Sequence, residues 1–161
     1  MLWVRAALFS ILVPGTIAVL APVTIRGDSR LAGGVWNIGW ALVVGGAFIY
    51  LHCLLRFLAA NGTPTIFFAG PLRFLVGGEP SQLVRGGLYR YSRNPMYIGV
   101  LSAVFGQALL YGSRPIGVYC LCLCAFFHFI VVLVEEPHLR SREGPVFVEY
   151  CRKTPRWITL W

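Results

Sequence analysis

Four long apolar runs leave this chain little choice but helices packed in a bilayer. They cover Leu2–Ala21, Val35–Ala59, Pro95–Tyr111 and Pro115–Val134. A membrane-spanning helix takes about 20 mostly apolar residues, and only a helix satisfies its own backbone hydrogen bonds in hydrocarbon. Pro14-Gly15 marks an expected kink in the first run. That run has a single basic residue, Arg5, near its start and a poor cleavage site in "VLAP" at 19–22, so it reads as a retained helix rather than a signal peptide. Charged residues make up 12% of the chain and hydrophobic ones 57%. An ordinary soluble domain has roughly twice that charged fraction. The expected architecture is all-α: a polytopic bundle of about four transmembrane helices in one domain over residues 1–161.

The net charge is +8. In a soluble protein this would suggest nucleic acid. Here the basic residues read as topology signals against lipid headgroups, and no nucleic-acid partner is expected. Arg5, Arg56, Arg73, Arg85, Arg90, Arg93, Arg140, Arg142, Arg152, Lys153 and Arg156 flank one side of the alternating runs, and Arg26, Arg30 and Arg114 flank the other. The imbalance places both termini in the cytoplasm, and the expected setting is a multi-pass protein of a bacterial or archaeal inner membrane. Between the second and third runs, "IFFAGPLRFLVGG" at 66–78 is apolar but broken by Gly and Pro, which suits an interfacial or re-entrant segment. Asn61-Gly62-Thr63 reads as a turn. Cys120 and Cys124 share a helix face with His128 nearby. No further ligand joins them, so they read as small hydrophobes rather than a metal site.

The stretch "YRYSRNPMYIG" at 89–99 stands at the mouth of the third run. Asn94-Pro95 is a helix start, with Asn as the cap and Pro in the first turn. Arg90 and Arg93 lie just outside it, among Tyr89, Tyr91 and Tyr97. Two readings are open: a site for a ligand carrying a carboxylate and an aromatic ring, or a belt of Tyr and Arg at the headgroups. Gly99, Ala103 and Gly106 fall on one helix face, where close approach could bring the fourth helix alongside. That fourth run ends in Glu135 and Glu136, two carboxylates that are costly against hydrocarbon unless paired or functional. They should neighbour Arg93 if the third and fourth helices form a hairpin. Pro137 is expected to restart a second helix over 137–153, amphipathic, with Phe147, Tyr150 and Cys151 on one side and a break at Gly144-Pro145.

The motifs "GT" at 62–63, "LVRGGLYRYSRNPMYIG" at 83–99, "EEP" at 135–137, "GPVFVEY" at 144–150 and "TPRW" at 154–157 stand in an order that resembles the isoprenylcysteine carboxyl methyltransferase family and, more broadly, the phospholipid-methyltransferase-like membrane enzymes. The resemblance implies an S-adenosylmethionine-dependent methyltransferase whose lipophilic acceptor reaches it from the lipid bilayer, with residues 1–60 as two N-terminal helices and 61–161 as the catalytic core. Carried onto this chain, it implies cofactor binding by Leu88, Tyr89, Arg93, Asn94, Pro95, Tyr97, Gly99, Glu135, Glu136 and Tyr150, with Arg93 and Glu136 at the chemistry. Asn94 departs from a common His, and Glu143 and Phe147 from a common aromatic and Tyr. The fourth helix offers no arginine to orient an acceptor. Acceptors in keeping with the resemblance are a prenylcysteine-like carboxylate, a lipid amine and a thiol. A sterol-reductase-like oxidoreductase and a non-enzymatic membrane module are the alternative readings.

Overall fold

The computed structural model describes residues 2–27, 35–63 and 78–158. Five helices make up the described fold: α1 (Leu2–Ile25), α2 (Trp36–Ala59), α3 (Pro95–Tyr111), α4 (Arg114–Glu143) and α5 (Pro145–Lys153). The expected interfacial segment at 66–78, with Arg73, lies outside the described residues except for Gly78, as does Arg30. Helices α1, α2 and α4 are long and apolar enough to cross a membrane. Helix α3 has 17 residues, or about 25 Å of rise, short of a hydrocarbon core of about 30 Å.

From α1 to α4, successive helices run antiparallel. In α1, Ala6 packs on Leu54 and Leu58 near the end of α2, and Ser10 Oγ lies 2.7 Å from the Tyr50 hydroxyl. Helix α2 then meets α3 through glycine. A Cβ on Gly99 would lie 2.8 Å from the Gly46 carbonyl, and one on Gly106 would lie 2.7 Å from the Gly39 carbonyl. The small-residue stripe of α3 therefore faces α2. The expectation that it seats the fourth helix is corrected: periodicity identified the face, and the neighbour turned out to be a second glycine stripe. Helix α4 packs on the other side of α3, where Val104, Ala108, Ile116, Cys120, Leu123 and Phe127 form a buried cluster.

Two turns set this geometry. At the end of α2, Asn61 has φ +56°, its N–H donates to the Leu58 carbonyl, and the Gly62 N–H donates to Phe57. This is the Schellman closure of a helix, in line with the expected turn. Gly112, φ +54°, does the same for α3, with Ser113 N–H donating to the Ala108 carbonyl. A connection this short forces α3 and α4 into a hairpin.

The three prolines in the interior of α1 and α4, Pro14, Pro22 and Pro137, lie in or just after π-helical backbone. Pro14 sits within a π stretch, Ile11–Leu20, and the Ala21 N–H reaches back five residues to Thr16. Pro137 follows a π stretch, Val131–Glu135, after which the Glu136 N–H donates to the Val131 carbonyl. Widening the turn relieves the clash and the missing donor that proline brings to an α-helix. The expected restart at Pro137 is thus corrected, because α4 continues unbroken to Glu143. The chain breaks instead at Gly144, φ +56°, as the Gly144-Pro145 pair suggests.

Candidate functional site

At the end of the bundle where α3 begins and α4 finishes, a cavity of about 150 Å³ opens among the helices. Its walls are apolar: Phe9, Val13 and Ile17 from α1, Tyr50 from α2, and Phe126, Phe127 and Ile130 from α4. The polar groups gather at one end, where Arg93, Asn94, Tyr97, Glu135 and Glu136 all contribute to the lining. The hairpin expectation holds, since Arg93 Nη1 donates to Glu136 Oε1 at 2.9 Å. These two side chains are 13% and 14% exposed.

The two carboxylates differ in company. Glu136 receives Arg93 and also Arg156, whose Nε and Nη2 donate to Oε1 and Oε2 at 2.7 and 2.9 Å. This two-point fork is the strong geometry for Arg with a carboxylate. Its hydrogen bond to Glu136 holds the Arg156 guanidinium above its already high ordinary pKa. Glu135 is 9% exposed and accepts a hydrogen bond from the Tyr97 hydroxyl. Among the described residues it has no ion-pair partner.

The chain after α5 is strapped across this end. Arg93 N–H donates to the Pro155 carbonyl at 2.9 Å. The Arg156 carbonyl accepts from Asn94 Nδ2 at 2.9 Å and from Ser92 Oγ at 3.3 Å. Asn94 was expected to cap α3. Its side chain makes no cap bond and is committed to the strap, while Pro95 begins the helix as expected. Helix α5 closes the remaining side with Phe147 and Tyr150 buried. The Tyr150 hydroxyl donates to the Tyr89 carbonyl at 2.6 Å. Burial pushes both phenols above their ordinary pKa, so they stay protonated near neutral pH.

Of the residues singled out from sequence, Tyr89, Arg93, Asn94, Tyr97, Glu135, Glu136 and Tyr150 converge on the cavity. Leu88, Pro95 and Gly99 do not line it. Leu88 packs beside the Cys53, Phe57 and Tyr89 cluster, Pro95 starts α3, and Gly99 is pressed against α2. Tyr91 is exposed and stands apart. Arg156 and Cys151, whose Sγ lies 2.8 Å from Arg93 Nη1, are contributors that the sequence reading named only as a topology charge and as part of the amphipathic tail, not as site residues. The "TPRW" motif was the available signal for Arg156.

The phospholipid methyltransferase family matches residues 35–142, more than half of the chain. The chain belongs to the phospholipid methyltransferase family. The matched region runs from α2 to the last turn of α4, so it includes Arg93 and the Glu135-Glu136 pair but not Arg156 or α5. A similar curated protein is the nickel-cobalt-cadmium resistance protein NccN of Alcaligenes xylosoxydans xylosoxydans, 28% identical over 85 residues. That alignment takes in 53% of this chain and 39% of the relative, so the chain spans well under half of the relative's length. No solved structure matches.

Proposed function

We propose that this protein is an S-adenosylmethionine-dependent methyltransferase that methylates a lipophilic acceptor at the cytoplasmic face of a membrane. Membership of the phospholipid methyltransferase family supports methyl transfer in general. The observation that carries the finer reading is the arrangement of Arg93, Glu135 and Glu136 at the polar end of an apolar cavity, with Arg156 bonded to Glu136.

The donor set fits that cofactor. Arg93 Nε is buried and lacks a hydrogen-bond partner among the described residues. Such an orphaned donor is costly and suits a ligand carboxylate. Glu135 offers negative charge with no cation beside it. Bound here, S-adenosylmethionine would supply a methyl group on positively charged sulfur, which departs as a neutral thioether.

The work left to the protein is mostly placement. Arg93 and Arg156 share one carboxylate, which leaves a surplus positive charge to hold and orient an acidic group. Tyr97 and Phe127, with ring centroids 4.5 Å apart, form an aromatic wall. The apolar side chains of α1 and α4 exclude water and accept a hydrocarbon chain. Alignment of this kind can contribute roughly 7–11 kcal/mol to a bimolecular transfer. The polar end is assigned to the cytoplasm, because the basic residues at the described helix ends crowd there while Arg26 and Arg114 mark the opposite end. The test is calorimetry on detergent-purified protein. Micromolar binding of S-adenosylhomocysteine, about −8 kcal/mol, is expected. No heat and no thermal shift at millimolar ligand would overturn the reading.

A further inference from the structure

We infer that Glu135, not its neighbour Glu136, is the residue by which the site distinguishes the positively charged methyl donor from its neutral spent form. The inference rests on the donor reading above. It goes further by dividing a role that the adjacent carboxylates would otherwise share.

The two carboxylates differ in how much of their charge is already met. Glu136 is held by three guanidinium contacts from two arginines, at 2.9, 2.7 and 2.9 Å. Its negative charge is more than compensated, and both its oxygens are committed. A further cation at Glu136 would have to compete with Arg93 and Arg156, which already hold its oxygens. Glu136 therefore acts as the clasp that ties the strap after α5 to the start of α3. Its removal should loosen the whole site and weaken every ligand alike.

Glu135 is in the opposite situation. It is buried at 9% exposure, lines the cavity, and has a neutral phenol, Tyr97, as its hydrogen-bond partner. A buried carboxylate without a counter-charge is unfavourable. A cation placed in the cavity supplies that charge where little water screens it. Donor and spent form share the nucleoside and the amino-acid group, and they differ in the methyl and the charge on sulfur. An uncompensated carboxylate is thus the group able to tell them apart, and Glu135 fits this description. Once the methyl has left, the attraction is gone, which favours exchange of spent cofactor for fresh donor.

The experiment is calorimetric titration of the full chain in detergent, without acceptor, using S-adenosylmethionine and S-adenosylhomocysteine separately. The parent should bind the donor about tenfold more tightly, equivalent to one charge contact of moderate strength. Glu135→Gln keeps an acceptor for Tyr97 but removes the charge. It should reduce donor affinity about tenfold and leave the spent form within about twofold, which collapses the ratio. Glu136→Gln should weaken both ligands together and preserve the ratio. Tyr97→Phe removes the hydrogen bond but keeps the Glu135 charge, so the preference should survive. A preserved ratio in Glu135→Gln, or a collapse in Tyr97→Phe, overturns the inference while leaving the donor reading intact. If Glu135→Gln does not fold, the Tyr97→Phe and Glu136→Gln ratios decide the matter. A folded parent that binds neither ligand overturns the donor reading and this inference with it.

Discussion

Arg156→Ala tests whether the strap's guanidinium contributes to ligand binding or only decorates the tail. The substitution deletes two charge-assisted hydrogen bonds to Glu136, at 2.7 and 2.9 Å, and leaves Glu136 with Arg93 alone. The group of Glu136, Arg93 and Arg156 then falls from a surplus of one positive charge to neutrality. A buried charge pair broken on one side costs about 2–5 kcal/mol, whereas an exposed pair is worth about 0–1 kcal/mol. Glu136 is 14% exposed and Arg156 34%, so the expected loss lies between those limits, at about 1–2 kcal/mol. That is roughly a five- to thirtyfold weaker Kd for S-adenosylhomocysteine. The strap itself should stay docked, because Asn94, Ser92 and the Arg93 N–H bind backbone carbonyls that the substitution retains. Arg156→Lys keeps the charge but loses the two-point fork, and it should fall between the parent and the alanine variant. Arg152→Ala, at an exposed site on α5, is the matched control and should bind as the parent does. Parent-like affinity in Arg156→Ala would refute the charge reasoning.

Three further outcomes follow from the packing, the ionic contacts and the charge pattern. Gly46→Ala would drive a Cβ into the Gly99 carbonyl and to 2.8 Å from the Ala103 nitrogen. Thermal melting in detergent should show a loss of about 1–3 kcal/mol, while Gly117→Ala, which meets nothing within 4 Å, should be neutral. Burial raises the Glu79 carboxyl, but hydrogen bonds from His138 and Arg142 outweigh it and hold the group below its ordinary pKa. Its stabilisation is therefore complete above the unfolded value of about 4.3 and is lost as pH falls through the lower folded value. Melting temperature against pH should fall more steeply below about pH 4 in the parent than in Glu79→Gln, and parallel curves would contradict this. For topology, a cysteine introduced at exposed Ser81 should react with an impermeant reagent only from the cytoplasmic side, and labelling from outside alone would reverse the assignment.

The apolar runs made the helices legible, because hydrocarbon admits few other backbones. The Arg93–Glu136 contact was also within reach, since the Gly112-Ser113 turn between two apolar runs implies a hairpin. What escaped the reading depended on tertiary neighbours. The glycine face of α3 was visible, but its partner, the Gly39 and Gly46 face of α2, was not. Pro137 looked like a break because proline disrupts α-helix, and the π turn that absorbs it leaves no mark in residue pattern. Asn94 has the chemistry of a cap, yet the Arg156 carbonyl claims its amide. Arg156 itself was counted among the topology charges: the TPRW motif marked it, but the motif does not say that a tail residue folds back onto Glu136.

The central claim is methyl transfer from S-adenosylmethionine to an apolar acceptor, and it is tested most directly by following the methyl group. Purified protein is incubated with methyl-labelled donor and a total membrane-lipid extract, and the products are resolved by mass spectrometry. The account predicts a labelled lipophilic product formed together with S-adenosylhomocysteine, abolished in Arg93→Ala and retained in Arg90→Ala, an exposed arginine on the same connection. Folded, donor-binding protein that labels no apolar compound, or that labels it equally well as Arg93→Ala, would contradict the account.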